Sequence, residues 1–214
     1  MKFSEDCRLC PRLANFLDEV KESHPDYHAK PVSPFGDDSP KLLVVGLAPG
    51  MHGANRTGRP FTGDHAGILL YETLYKFGFS SQAASEKGDA LVLKGCRITN
   101  AVKCLPPQNK PDTAEIRQCN AYLAQEIADL ERGSAILALG TIAHNAVLSA
   151  LKLKAKDYPF GHGSIHDLPG GFGLHDSYHC SRYNTQTRRL TREMFEAVFE
   201  NIRRVSACHT STSG

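Results

Sequence analysis

No stretch of this chain approaches the roughly 20 consecutive apolar residues that would span a bilayer. Its opening, MKFSEDCRLCPRLANF, lacks the uninterrupted apolar core of a secretion signal. These absences lead to the expectation of a cytoplasmic protein without a membrane partner. Charge of one sign is scarce as well: the formal net charge is +2. A polyanion site must therefore come from local clustering of Arg and Lys, not from the overall field. Neither an internal repeat nor a second-domain linker is visible. The 214 residues suit one compact domain with a sizeable core, expected over 1–206, with 207–214 as a disordered tail.

Seven cysteines are present, and in a reducing compartment they read as metal ligands, reactive thiols or buried small hydrophobes before disulfides. Cys7 and Cys10 form a C-x2-C, while Cys104 and Cys119 bracket a loop containing LPPQNKPDT. Four thiolates with one tight pair suit either tetrahedral zinc or an iron-sulfur cluster; the dispersed second pair favours [4Fe-4S], since structural zinc sites usually use two tight pairs. The alternative is that the C-x2-C is incidental and the other two are core residues. Cys96 reads as a buried strand residue and Cys208 as a free thiol near the tail.

Residues 11–23 have the pattern of a short helix, and 24–40, with four prolines, that of a clamped loop. KLLVV at 41–45 is a buried strand. Asp64 stands at the N-cap position of a helix that Gly78 ends. A strand is expected over Arg97–Val102, a helix from near Asp112, the strand AILALG at 135–140 and the helix TIAHNAVLSALK after it. A hairpin or loop fills 158–177, and one final helix is expected from Thr185 toward Arg204. Alternating strands and helices argue an α/β fold with a parallel sheet between helices, whose ligand lies at the carboxyl ends of the strands.

The loop LLVVGLAPGMHGANRTGRPFTGD, residues 42–64, is rich in glycine. GANRTGRP nearly matches the nucleotide-binding pattern G-x4-G-K-[ST], but Arg59 stands at the Lys position and Pro60 offers no hydroxyl for Mg2+. The glycines fit a backbone wall around something planar, with Phe61 to stack on it.

GLAPGMHGANRTGRPFTGD, TNAVKCLPP and HCSRYNTQTRRLT resemble, in order, the first, central and second active-site motifs of the uracil-DNA glycosylase superfamily, in its iron-sulfur branch called family 5 or type b. Cys7, Cys10, Cys104 and Cys119 fall where that branch has its cluster ligands. The resemblance covers nearly the whole chain. It implies a three-layer α/β/α sandwich with a central four-stranded, mostly parallel sheet, a [4Fe-4S] cluster serving structure, and base flipping followed by hydrolysis of an N-glycosidic bond. Uracil is the implied base, with hypoxanthine and xanthine beside it, and the protein is expected as a monomer in bacterial or archaeal cytoplasm, at the nucleoid.

Under that resemblance Asp64 positions the water and faces the sugar cation, Asn100 reads the amide edge of the base, and His179 donates to the developing anion. As an N-cap, Asp64 is expected to be held ionised. Phe61 stacks on the ring, and backbone groups of Gly46, Ala48, Pro49, Gly50 and His52 line the pocket. DNA contacts are expected from Asn55, Arg56, Arg59, Arg182, Tyr183, Asn184, Arg188 and Arg189, as phosphate contacts without sequence information and, for Arg182 or Tyr183, as a wedge. The chain departs from the pattern at Ala48, where sister branches carry Asp or Asn, at Gly50 for Ala, at Cys180 for Pro and at Arg188 for Gly. Two other classes compete: a catalytically inactive cluster-bearing nucleic-acid binding module, and an electron-transfer protein. The presence of Asp64, Asn100 and His179 together speaks for the enzyme.

Overall fold

A computed structural model describes residues 3–210, with side chains to residue 204. Strand β2 (Leu42–Gly46) is buried at every residue, as expected of a strand covered on both faces. Leu42 and Val44 point to one face and Leu43 and Val45 to the other, so a single apolar run supplies two cores. Strands β3 (Cys96–Asn100), β4 (Ala135–Leu139) and β6 (Phe172–Ser177) join it in parallel.

The expected four-stranded parallel sheet is therefore present, with two antiparallel edges that the sequence reading did not separate. Strand β1 (Phe35–Gly36) pairs with β3, and β5 (Ile165–Leu168) forms a hairpin with β6. The six strands among the described residues run in the order β1-β3-β2-β4-β6-β5. Gly170 and Gly171, both at positive φ, make the hairpin turn.

Helices α3 (His65–Lys76) and α7 (Arg192–Thr210) cover one face, through Leu70, Leu74, Phe195 and Phe199. The other face is covered by α4 (Thr113–Ala128) and α5 (Thr141–Ala150), through Leu123, Ile127, Ala143 and Val147. Helix α1 (Pro11–Ser23) starts on a proline and buries Leu13, Leu17 and Val20 in a third cluster that contains Cys104, Cys119 and Tyr122. No helix among the described residues is long and apolar enough to cross a membrane.

Three boundaries differ from expectation. Strand β3 stops at Asn100, two residues before Val102. A four-residue helix α2 (Ala54–Thr57) interrupts the Gly-rich loop. The single final helix is in fact two: Ser181 caps a short α6 (Arg182–Gln186), Arg188 turns left-handed at φ 57°, and the Thr191 hydroxyl accepts from Met194 N–H as the chain enters α7. Residues 211–214 of the expected tail, and the side chain of Cys208, lie outside the described residues.

Candidate active site

Because β2 and β3 run parallel and in register, Gly46 lies opposite Asn100 at their carboxyl ends. The chain leaves β2 for β3 on one side and later crosses to β4 on the other, so this edge is the switch point of the sheet. Strand β6 ends beside it and delivers His179: a Cβ added at Gly140, which follows β4, would lie 3.7 Å from the His179 Cβ.

A pocket of about 390 Å³ opens here, within the usual size for a small-molecule site. Asp64, Asn100, His179, Phe61, Ala48, Gly50 and Arg182 all line it, so residues from three distant motifs meet. Asn100 is 3% exposed and its Oδ1 is buried without a hydrogen-bond partner. An orphaned acceptor of this kind calls for a ligand or water. Gly46 makes the arrangement possible, because a Cβ there would lie 2.4 Å from Asn100 Oδ1 and 2.7 Å from Phe61 Cζ.

Phe61 is buried at φ 55°, a costly conformation for an aromatic residue, of order 1–3 kcal/mol. Tyr71 holds it through an O–H bond to the Pro60 carbonyl at 2.9 Å, and Gly67 leaves room for the Phe61 carbonyl, which an added Cβ would strike at 1.8 Å. The Phe61 and His179 rings lie 5.9 Å apart at 30°. Burial lowers the His179 pKa, so the imidazole is neutral at neutral pH and can act as an N–H donor.

Asp64 caps α3, its Oδ1 accepting from Gly67 N–H at 2.9 Å. The expectation that the cap alone would keep it strongly ionised is corrected: burial pushes its pKa up, and the N–H groups of Gly67 and Ala66 only partly oppose this. Its Oδ2 faces the loop, where a Cβ at Gly53 would lie 2.5 Å away and one at Gly50 3.7 Å away.

A family model described as "Uracil DNA glycosylase superfamily" matches residues 33–203. The chain belongs to this superfamily. It is 47% identical over 206 residues to a type-5 uracil-DNA glycosylase of Thermus thermophilus, covering 94% of each chain. A type-5 uracil-DNA glycosylase of Pyrobaculum aerophilum is 39% identical, over 94% of this chain and 88% of its own. A type-4 uracil-DNA glycosylase of the same organism is 37% identical over 54% of this chain and 52% of its own. The matched residues 33–203 include the whole pocket lining and both Cys104 and Cys119.

Not every residue expected at the superfamily's site is there. Pro49 is buried behind the lining, and His52 is exposed outside the pocket, its Nδ1 bonded to the Tyr27 hydroxyl at 2.9 Å. Asn55 is fully buried rather than facing DNA, with both amide atoms unpartnered. Arg59 is also corrected: its guanidinium sits over the Phe35 ring and binds Asp89, Ser85 and the Glu86 carbonyl, with Arg59 and Asp89 each 16% exposed. It anchors the 85–89 loop instead of waiting for a phosphate. Asn184 turns inward and donates to the His179 carbonyl at 2.8 Å, and Arg189 lies over the Tyr178 ring at 4.6 Å. Arg56, Arg182, Tyr183 and Arg188 remain exposed.

The sequence reading missed Asn109 and Ser181, both lining the pocket. Asn109 has φ 57°, and the signal for it was an Asn, a residue tolerant of the left-handed region, between prolines. A second cavity of about 710 Å³ shares Phe61, Asp64, His65 and Arg182 with the first and adds Arg56 and Lys87.

Of the pattern's departures, Gly50 is conformationally ordinary, and Cys180 is fully buried, its thiol pushed up to about 12 by burial and the nearby Asp64 charge. The four cysteines Cys7, Cys10, Cys104 and Cys119 line one pocket, and none of them is in a disulfide. Their donor set fits a cluster: Lys103 N–H points at Cys119 Sγ at 3.3 Å and Tyr122 O–H at Cys7 Sγ at 3.4 Å, the bonds that ligating sulfurs receive.

Proposed function

We propose that this chain is a monofunctional type-5 uracil-DNA glycosylase, which binds a uracil flipped from DNA and hydrolyses its N-glycosidic bond to leave an abasic site. The observation that carries this reading is the buried, unpartnered Asn100 Oδ1 in a pocket shared with Phe61, His179 and Asp64. The Asn100 amide offers one acceptor and one donor to the N3–H and O4 edge of uracil. Phe61 stacks on the ring.

As the bond breaks, negative charge grows on the base and positive charge on the sugar. The neutral His179 imidazole donates to the base where that charge develops, which is binding realised mainly in the transition state. Asp64 holds the attacking water and faces the sugar cation. Its raised pKa makes it a better proton acceptor than an ordinary helix cap.

Ala48 supplies no polar group, so positioning the water falls on Asp64. The missing side chain at Gly50 leaves space beside Asp64 for a purine, and removal of hypoxanthine and xanthine belongs to the proposal. Arg56, Arg182 and Arg188 meet phosphates, and exposed Tyr183 or Arg182 fills the gap left by the flipped base. Cys7, Cys10, Cys104 and Cys119 hold a [4Fe-4S] cluster that ties the N-terminal segment to α4 and takes no part in the hydrolysis. The protein acts as a monomer in the cytoplasm.

The test is incubation of the purified protein with duplexes carrying uracil, hypoxanthine or xanthine, followed by alkaline cleavage of abasic sites. Strand breaks at uracil, lost in Asn100→Ala, are expected. Intact strands on all three substrates would overturn the assignment, and a colourless, zinc-containing protein after anaerobic purification would overturn the cluster.

A further inference from the structure

On the α4/α5 face, His144 of α5, His166 of β5 and Asp176 of β6 bring their ring nitrogens and carboxylate oxygens within 4.8 Å of one another. None of the three lines the base pocket. His144 Nδ1 lies 2.8 Å from Asp176 Oδ1, and His166 Nε2 lies 3.6 Å from Asp176 Oδ2, with side chains 1%, 15% and 0% exposed for His144, His166 and Asp176. His144 Nε2 is 2.8 Å from the Tyr158 carbonyl, and His166 Nε2 is 3.2 Å from the Pro159 carbonyl.

As a hydrogen-bond network this cluster is short of donors. Asp176 Oδ2 is completely buried and has no hydrogen-bond partner. The single proton His166 Nε2 can carry faces two acceptors, the Pro159 carbonyl and Asp176. A cation among the three groups would supply the missing positive charge.

We propose that His144, His166 and Asp176 form a second metal site, distinct from the cysteines, that takes a zinc-class divalent ion and serves structure. Two imidazole nitrogens and one carboxylate oxygen are a borderline donor set suited to such an ion. Ligands about 2.0–2.2 Å from a tetrahedral zinc stand roughly 3.3–3.5 Å apart; His144 Nδ1 is 2.8 Å from Asp176 Oδ1 and His166 Nε2 3.6 Å from Asp176 Oδ2, so small side-chain shifts reach that spacing.

The second shell is also in place: a proton on His144 Nε2 donated to the Tyr158 carbonyl leaves Nδ1 as the lone-pair donor, the arrangement that orients metal-bound histidines. Binding releases to solvent the proton held between His144 Nδ1 and Asp176 Oδ1, the His166 proton moves from Nε2 to Nδ1, and water fills the fourth position. The exposed edge of His166 is the way in. His175, although buried and unpartnered, alternates to the other face of β6 and is not a donor. The ion clips α5, β5 and β6 together, three residues before His179.

The test uses the full chain with its cysteine site loaded as purified. After equilibration with micromolar zinc and desalting, one zinc per chain is expected, with X-ray absorption showing only nitrogen and oxygen neighbours near 2.0–2.1 Å rather than sulfur at 2.3 Å. His166→Ala, the least buried of the three, is expected to weaken zinc at least tenfold and to abolish the zinc-induced rise in melting temperature, while iron content stays unchanged. Asp176→Asn is a second variant with the same expectation. Failure of the wild type to retain zinc, sulfur neighbours around the zinc, or undiminished zinc affinity in His166→Ala would each overturn the site and leave the cluster a proton-held ion pair. None of these results bears on uracil removal, so this site and the glycosylase reading fail separately.

Discussion

Helices α3 and α4 both begin at acidic residues that accept backbone N–H bonds, and the two ends have opposite electrostatics. At α4, Asp112 and Glu115 form a capping box, and Glu115 Oε1 and Oε2 receive the Arg12 guanidinium at 2.9 and 2.7 Å. Burial raises the Glu115 pKa, but Arg12 and the Asp112 N–H more than offset this and hold it low. At α3, Asp64 has the backbone donors without the guanidinium, and burial wins. One carboxylate is spent on holding α1 to α4, and the other is left with an oxygen free to face a pocket. A cap signal in sequence is the same in both cases; the presence of a cation decides between a structural and a chemical role.

The sharpest way to break this contrast is Asp64→Asn. It keeps the cap acceptor and removes the charge, and we expect roughly a thousandfold loss in single-turnover uracil release. Its melting temperature should hold or rise. A pKa raised by folding means that stability is full below the unfolded value and falls as pH rises through the native one, so the ionised Asp64 is a cost at neutral pH that the amide removes. The wild-type rate should fall on acidification at a pH above the ordinary carboxylate range.

Next in size is the pair Gly53→Ala and Gly50→Ala, since a Cβ would meet Asp64 Oδ2 at 2.5 Å in the first and 3.7 Å in the second. Displacing the carboxylate should cost about a hundredfold in kcat/KM for Gly53→Ala, and Gly50→Ala should stay near wild type on uracil.

Glu115→Gln reverses the pattern of Asp64→Asn. It is expected to cost about 2 kcal/mol, about 4–8 °C in melting temperature for a domain of this size, with uracil release per folded molecule unchanged. With a lowered native pKa, the Glu115 contribution is present above the unfolded value and is lost as pH falls through the native one, so the variant and wild type should converge in stability at strongly acid pH.

The smallest effect separates two arginines. Arg182→Ala should reduce the salt slope of DNA binding by about one unit, whereas Arg59→Ala should lower stability and leave the slope alone.

Much of the fold was legible because its signals are local. The run LLVV, Asp64 before an apolar helix and the Pro at the start of α1 each specify an element through neighbours in the chain. The final helix was misread because its break at Arg188 depends on Ser181 and Thr191 each starting a helix, which no apolar period reveals. Among site residues, Asp64, Asn100, His179 and Phe61 were found through motif resemblance. The ion pair of Arg59 was not legible because its partner, Asp89, lies thirty residues away, and neither was the Tyr27 hydroxyl bond that holds the His52 ring.

By itself the sequence determined the alternation of strands and helices, through residue type and short spacing, and, through motif resemblance, the superfamily and its candidate site residues. Only the tertiary structure decided where their side chains sit. Burial without a countercharge raises Asp64, a missing Cβ at Gly46 lets Asn100 keep an unpaired oxygen beside Phe61, and Asp89 holds Arg59 in an ion pair. Each of these depends on what the fold brings within a few ångströms, a distance that chain separation does not encode.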